Sequence, residues 1–227
     1  SLKKQSAGTM FAGIVVLQPL LGCPANALAD LFEAMKSDEA IALGRLRPDL
    51  PQAILLTTAE RETADGNAIA RTKENLVYAN AEPAFLLVDL DTGGMPEAVQ
   101  HAVTTHGLES LLSPFLPGIS ATARVQRAST SAGLSIAGIS VGNAGGQHLY
   151  LLVGDGSDIP RALDVLAKRL WLANLGWIVL AKDGKMLTRG LIDSAVAGAE
   201  RLCFEGAPVL GAGILQDLEA RQPIWHS

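Results

Sequence analysis

This 227-residue chain contains few cysteines, and its basic residues do not outnumber its acidic ones. The two cysteines, Cys23 and Cys203, form no C-x-x-C pair, which excludes a zinc ribbon and a thioredoxin motif, and we expect both to be reduced thiols. With 18 Lys and Arg against 23 Asp and Glu, the net charge is −5. This balance disfavours a protein that coats DNA non-specifically and leaves room only for a local cationic groove.

Several widespread catalytic motifs are also missing. The chain contains no G-x-x-x-x-G-K-S/T, no G-x-G-x-x-G and no H-E-x-x-H, which excludes a P-loop ATPase and leaves a dinucleotide fold and a zinc protease without support. One G-x-S-x-G occurs around Ser140, but the glycine-rich segment after it is poor helix material. We therefore interpret 135–146 as a loop or weak edge strand and not as a nucleophile elbow.

No apolar stretch approaches the roughly 18 residues of a transmembrane helix. Lys3 and Lys4 before the apolar run 10–17 imitate a signal peptide, but Gln18 and Pro19 interrupt it. We expect a cytoplasmic protein that does not use a membrane.

Hydrophobic residues make up 48% of the chain, enough for a full core, and no flexible linker divides it. Strand and helix patterns alternate irregularly, and Asp183-Gly184 is a hairpin signal, which favours a single mixed-sheet α+β or α/β domain over a regular doubly wound sheet. The predicted strands are 10–17, 53–56, 76–78, 84–90, 123–127, 148–153, 177–180 and 185–188, and the predicted helices are 24–36, 97–105 and 159–174.

Two carboxylates end the most apolar predicted strand. Asp89 and Asp91 are two residues apart, so an extended chain would present them on one side, where they repel each other. A hard divalent cation commonly neutralises such a pair. The alternative is a solvated strand end capped by aspartates.

Other polar residues could act beside this pair. His148 begins an apolar strand after two glycines, and Asp193 follows a short apolar segment, where it could also be a helix N-cap. Arginine and hydroxyl side chains suit phosphate oxygens, and two such groups occur. They are Arg127, Ser129 and Ser131 in one stretch, and Arg71 and Lys73 in a smaller basic spot.

A phosphohydrolase that forms an aspartyl-phosphate is one alternative interpretation. Its first motif resembles 85–91, and its last resembles the strand 149–153 followed by Asp155 and Asp158. Gly93 stands where that motif has Thr or Val, and no lysine occurs between 92 and 167 to stabilise the phosphoryl charge.

The ordered motifs resemble the archaeo-eukaryotic primase superfamily, in particular the primase-polymerase domains of plasmid and phage replication proteins. They are LLVDLD with Asp89 and Asp91, STSAGL with GGQHLYLLV carrying His148, and GLIDSAV with Asp193. The flanking phrases ARTKENL and ERLCFEGAPVL are also similar to plasmid-type relatives, so the resemblance covers about 65–215. The long segment before His148 leaves open which of Ser129, Ser131 and Ser140 matches the family's hydroxyl residue.

The resemblance implies an RRM-like catalytic sheet (81–227) packed with an N-terminal α/β module (1–80). It implies that Asp89, Asp91 and Asp193 bind Mg²⁺ or Mn²⁺ and catalyse nucleotidyl transfer. His148 would bind the nucleoside triphosphate, assisted by Arg127, Ser129 and Ser131.

Arg71 and Lys73 would then contribute to the groove for a single-stranded DNA template. A helicase or DNA-binding module on a longer parent chain would supply tighter DNA binding. A catalytically silent replication or nucleic-acid binding module of the same fold remains the main alternative.

Overall fold

The computed structural model describes residues 12–63, 66–141 and 145–227, which form a mixed α+β structure with several small sheets. The α-helices are α1 (Pro24–Ala34), α2 (Glu97–His106), α3 (Leu108–Leu112) and α4 (Ile159–Leu172). The strands are β1 (Gly13–Val16), β2 (Ile41–Ala42), β3 (Arg45–Leu46), β4 (Ala53–Thr57), β5 (Ala68–Ala70), β6 (Leu76–Val77), β7 (Ala84–Leu90), β8 (Arg124–Ala128), β9 (Leu134–Ile136), β10 (Ile139–Ser140), β11 (Gln147–Val153), β12 (Gly176–Leu180), β13 (Met186–Gly190), β14 (Leu202–Cys203), β15 (Ile214–Gln216) and β16 (Ile224–His226).

A four-stranded sheet in the order β16-β8-β11-β7 organises the molecule. Its neighbouring strands are all antiparallel. Because β7 and β8 both run antiparallel to β11, they are parallel to each other with β11 between them. The chain passes from β7 to β8 through α2 and α3, so these elements form a split β-α-β unit.

Both faces of this sheet are covered. Leu86 and Val88 of β7 pack with Leu149 of β11 against one cluster, which includes apolar side chains of α2, α3 and α4. Phe85, Leu87 and Tyr150 face the other way and pack against α1. Covering both faces explains why β7 and β11 are almost continuously apolar.

The sequence predicted the main helices and strands correctly, but it predicted the burial of the first strand wrongly. The strands at 84–90 and 148–153, the helix at 24–36 and the hairpin at Asp183-Gly184 are confirmed within two residues at their ends. The predicted buried strand 10–17 is β1 in its described part, but Ile14 and Val16 are 68% and 60% exposed. The expected burial is wrong because β1 is the edge of a small sheet, β1-β4-β5, with one open face.

The N-terminal segment is joined to the rest of the chain. Leu46, Ile54 and Ile69 form a small cluster of their own, whereas α1 packs on the central sheet. β2 pairs with β14, which connects Ile41 to Cys203.

Cys23 and Cys203 are free thiols, and burial raises the pKa of Cys203 to about 12. In the described part of the chain, no helix combines the length and apolar character needed to cross a bilayer.

Gly206 allows the C-terminal segment to approach α1. A Cβ atom at this position would lie 2.0 Å from the carbonyl oxygen of Lys36, a backbone atom that cannot move independently. We therefore expect Gly206→Ala to reduce the free energy of unfolding by about 2–3 kcal/mol. The control is Gly154→Ala, because a Cβ at Gly154 meets nothing within 4 Å and the change should stay within about 0.5 kcal/mol. Urea denaturation measures both, and equal stabilities would contradict the close approach.

Candidate active site at the end of strand β7

A row of polar side chains crosses the central sheet near the C-terminal end of β7. The antiparallel register places His148 directly opposite Asp89 on one side and Arg127 on the other. The imidazole Nε2 of His148 lies 3.5 Å from Oδ1 of Asp89, which is long for a hydrogen bond. His148 is therefore beside the first predicted acid and keeps Nε2 available to another acceptor.

The third predicted acid reaches the same place from the opposite edge of β7. The backbone N–H of Asp193 donates to the carbonyl of Asp89 at 2.9 Å. The side chain of Asp193 accepts from the N–H of Ala195 and caps the short helix Ser194–Ala197, so the alternative N-cap interpretation is confirmed. Asp91 follows the end of β7 and accepts from the N–H of Gly93 at 2.9 Å. All three aspartates meet at one end of the sheet.

The electrostatics of Asp89 reflect this convergence. Burial raises the pKa of Asp89, the neighbouring His148 lowers it, and the charges of Asp193 and Asp91 raise it again. The net direction is upward, so the folded protein disfavours the ionised carboxylate. Such a group is stabilised by any cation that binds beside it.

The donor set suits a hard cation, although the side chains do not form a closed cage. Within the described ranges, no group of three His, Cys, Asp or Glu side chains is positioned to hold a metal ion. Carboxylate oxygens are nevertheless the ligands that Mg²⁺ and Mn²⁺ prefer. Because Mg²⁺ usually takes one or two carboxylates and completes its shell with water and substrate phosphates, an open set of acids fits its use with a phosphate substrate.

His148 is held from the other side by Glu205. Nδ1 of His148 contacts Oε1 of Glu205, and the hydroxyl of Tyr150 donates to the same oxygen at 2.6 Å. Burial alone would lower the pKa of His148, but the bond to Glu205 and the charges of Glu205 and Asp89 outweigh it and raise that pKa. For the carboxylic acid Glu205 the direction is reversed: burial alone would raise its pKa, but His148 and Tyr150 outweigh burial and lower that pKa. The site therefore favours an imidazolium, in which both ring nitrogens donate.

Two buried arginines complete the surroundings of Glu205. Arg127 and Arg221 each place a nitrogen 3.8 Å from Oε2 of the carboxylate. Arg127 also donates to the carbonyls of Phe32 at 2.8 Å and Arg221 at 3.0 Å. Its guanidinium is thus engaged by the protein itself, and direct contact between Arg127 and a nucleotide stays a prediction.

Sequence reasoning missed Glu205, Tyr150 and Arg221. Glu205 lies in the phrase ERLCFEGAPVL, where an acid between Phe204 and Gly206 interrupts apolar residues. A charged residue in such a context is buried only when it is paired, and this was the available signal.

The predicted phosphate-binding hydroxyls lie near the same end of the sheet. The N–H of Ser129 donates to the carbonyl of Gly146 at 2.9 Å, and the hydroxyls of Ser129 and Ser131 are 3.2 Å apart. A Cβ at Gly146 would meet the Ser129 hydroxyl and the carbonyl of Leu90. Ser129 is therefore close to the residue that precedes Asp91.

The predicted basic spot has a different environment. Arg71 donates to the carbonyl of Glu200 at 2.9 Å, and Lys73 is exposed. A role for Arg71 and Lys73 in binding a template stays a prediction.

A cleft of about 910 Å³ opens beside the acids, within the usual size of a ligand site. Asp91 and Asp193 line it, together with residues of α4 and of the β12–β13 hairpin. Trp171 and Trp177 form part of its apolar wall, and Arg189 adds a positive charge.

The geometry contradicts the phosphohydrolase alternative. Val153 pairs with Ala84 at the beginning of β7, so Asp155 and Asp158 follow at the opposite end of the sheet from Asp89. Seven strand residues span about 20 Å, too far for the aspartates to act on one phosphate. Asp155 instead accepts from the N–H groups of Ser157 and Ala81.

The raised pKa of Asp89 gives a pH-dependent prediction. The pKa of Asp89 in the folded protein exceeds the unfolded value of about 3.9, so ionisation of this carboxyl group favours unfolding. The free energy of unfolding therefore decreases as the pH rises through the folded pKa. Asp89→Asn cannot ionise, so we expect its stability relative to wild type, in metal-free buffer, to increase from pH 3.5 to pH 7. Thermal unfolding across that range measures the effect.

The matched control is Asp164→Asn, which changes an exposed acid of α4 that pairs with Lys168. We expect no comparable gain for this variant. A loss of stability in Asp89→Asn at pH 7 would show that the carboxylate has a structural role.

Comparison with known proteins adds no relative to this geometry. A scan against protein-family models, a search of curated proteins and a search of solved structures find no match to the chain. The primase-polymerase resemblance therefore depends on the motifs and on the site described above.

Proposed function

We propose that this chain is a divalent-metal-dependent nucleotidyltransferase of the DNA primase-polymerase type, acting in plasmid or phage replication. The observation that carries the proposal is the hydrogen bond from the N–H of Asp193 to the carbonyl of Asp89, with His148 opposite Asp89. It brings together three residues from motifs separated by more than a hundred positions. This convergence of distant motifs is what the primase-polymerase resemblance implies.

The topology supports the same proposal. In an RRM-like sheet, a split β-α-β unit places a third, antiparallel strand between its two parallel strands. β7, β11 and β8 have this order, and α2 and α4 pack on one face. The backbone of Asp193 donates a hydrogen bond to the outer edge of β7, the edge at which an RRM-like sheet has its fourth strand.

Each residue then has a chemical role. Asp89, Asp91 and Asp193 would hold Mg²⁺ or Mn²⁺, which when bound activates the primer 3′-hydroxyl and neutralises the triphosphate. His148 donates Nε2–H to a phosphate oxygen of the nucleotide, and its charge favours the anionic substrate. The cleft beside Asp91 and Asp193 would receive the substrate.

The charge of the chain constrains its partners. A net charge of −5 opposes strong binding of single-stranded DNA, because such binding depends mainly on contacts between cations and phosphates. We therefore propose that Arg71 and Lys73 guide the template only weakly. A helicase or DNA-binding module, on a longer parent chain or a separate protein, supplies the affinity.

Nucleotide incorporation on a primed single-stranded template tests the activity. We expect Asp89→Asn combined with Asp91→Asn to reduce incorporation by about a thousandfold or more, because metal ions supply several kcal/mol of transition-state stabilisation. Asp155→Asn is the matched control, since it removes a carboxylate at the opposite end of the sheet and should keep the wild-type rate.

A wild type that binds template without incorporating nucleotides under Mg²⁺ or Mn²⁺ would overturn the enzymatic proposal. It would favour the catalytically silent module.

Metal binding gives a second prediction. A cation that binds only the folded state stabilises it by mass action, by about 2.7 kcal/mol at a hundred times its Kd. We expect Mn²⁺ to raise the Tm of the wild type, and to raise it further with a nucleoside triphosphate. The Asp89→Asn, Asp91→Asn double variant should not respond. An equal response of both proteins would show that the ion binds elsewhere.

A further inference from the structure

We infer that Glu205 is a positioning residue, which fixes the imidazole of His148 so that Nε2 points to the substrate side of the site. The inference rests on the proposed function, because it assigns a partner to the residue that would bind the nucleotide phosphates. It concerns a residue outside the acidic motifs. Glu205 does not line the cleft and would act through its bond to His148.

The contacts of Glu205 are divided between its two oxygens. Oε1 receives Nδ1 of His148 and the hydroxyl of Tyr150. Oε2 has no hydrogen-bond donor within reach among the described residues and faces the guanidinium groups of Arg127 and Arg221 at 3.8 Å. The carboxylate is thus held on one side by hydrogen bonds and on the other by charge.

The backbone that carries Glu205 is also fixed. Its carbonyl accepts from Nη2 of Arg221 at 3.1 Å, and the preceding β14 pairs with β2. Gly206 packs against the carbonyl of Lys36 so closely that no side chain fits. Glu205 itself is 0% exposed, so its carboxylate has no solvent-facing alternative.

This arrangement selects one of the two ring orientations of His148. A half-turn of the ring would move Nδ1 from Glu205 and place Nε2 away from Asp89. Because Glu205 is fully buried, that turn would remove one of the two donors that Oε1 of this ionised acceptor receives. The ring therefore presents Nε2 on the side of Asp89, 3.5 Å from its carboxylate.

A purely structural ion cluster is the competing explanation. It would lower stability when disrupted, because an unpaired buried charge is costly, but it would not act on nucleotide binding through His148. A double-mutant cycle separates the two. The variants are Glu205→Gln, His148→Ala and their combination, with Mn²⁺ and a nucleoside triphosphate as probes.

We expect Glu205→Gln to raise the KM for the nucleoside triphosphate about tenfold or more, as expected for losing a bond to a charged group, with little change in the Kd for Mn²⁺. In the His148→Ala background the same substitution should leave KM unchanged. The matched control is Glu109→Gln, which breaks the 3.0 Å ion pair with Arg124 on the same sheet and should not alter KM.

Additive effects of Glu205→Gln and His148→Ala, or an unchanged KM in Glu205→Gln, would overturn the inference. A normal KM in His148→Ala would instead overturn the proposed role of His148. If the wild type binds nucleotide without incorporating it, only the proposed catalysis fails, and the cycle is measured on the Kd. A wild type that binds no nucleotide overturns both.

A measurement on the wild type covers the case in which Glu205→Gln fails to fold. The ¹⁵N signals of the His148 ring should show a protonated, hydrogen-bonded Nδ1. Adding a nucleoside triphosphate together with Mg²⁺, in the absence of Mn²⁺, should shift the Nε2 signal and leave the Nδ1 signal unchanged. A shift confined to Nδ1 would show that the ring faces the substrate with the other nitrogen and would overturn the inference.

Discussion

The hydrogen bonding of β7 on both of its edges determines where the candidate site lies. Along one edge β11 fixes the register and sets His148 opposite Asp89. Along the other, the backbone of Asp193 binds the carbonyl of Asp89. The position of these acids therefore follows from backbone geometry, which side-chain substitutions alter little. Repulsion among the carboxylates is tolerated because the backbone bonds and the apolar cores on both sheet faces hold the chain in place.

A second constraint is the charge of Glu205. A fully buried carboxylate is tolerated only with compensating charges and donors, and here two arginines, a histidine and a tyrosine provide them. Asp89 lies on the other side of His148 from Glu205, and no arginine is described beside it. The two acids differ as a result: the pKa of Glu205 is lowered by His148 and Tyr150, whereas burial and the charges of Asp193 and Asp91 raise the pKa of Asp89.

Much of the fold was predictable because its signals are local. The apolar runs at 84–90 and 148–153 and the Asp-Gly turn define their elements without tertiary information. The resemblance to primase-polymerases selected Asp89, Asp91, Asp193 and His148 from sequence order alone. Glu205 was not predictable in this way, since it belongs to no periodic pattern and its partners are 55 and 57 positions away. The burial of Arg127 likewise depends on α1 covering that face of the sheet.

The two hydrogen bonds from the side chain of Arg127 to main-chain carbonyls have a consequence for the order of folding. One links it to Phe32 and the other to Arg221, across 95 and 94 positions of sequence. Contacts of such long range form late, after the entropy of closing large loops has been overcome. Because β7 and β11 precede Glu205 and Arg221 in the chain, His148 can pair opposite Asp89 before the carboxylate that orients its ring is available. The imidazole is therefore oriented only after the chain has been made as far as Glu205.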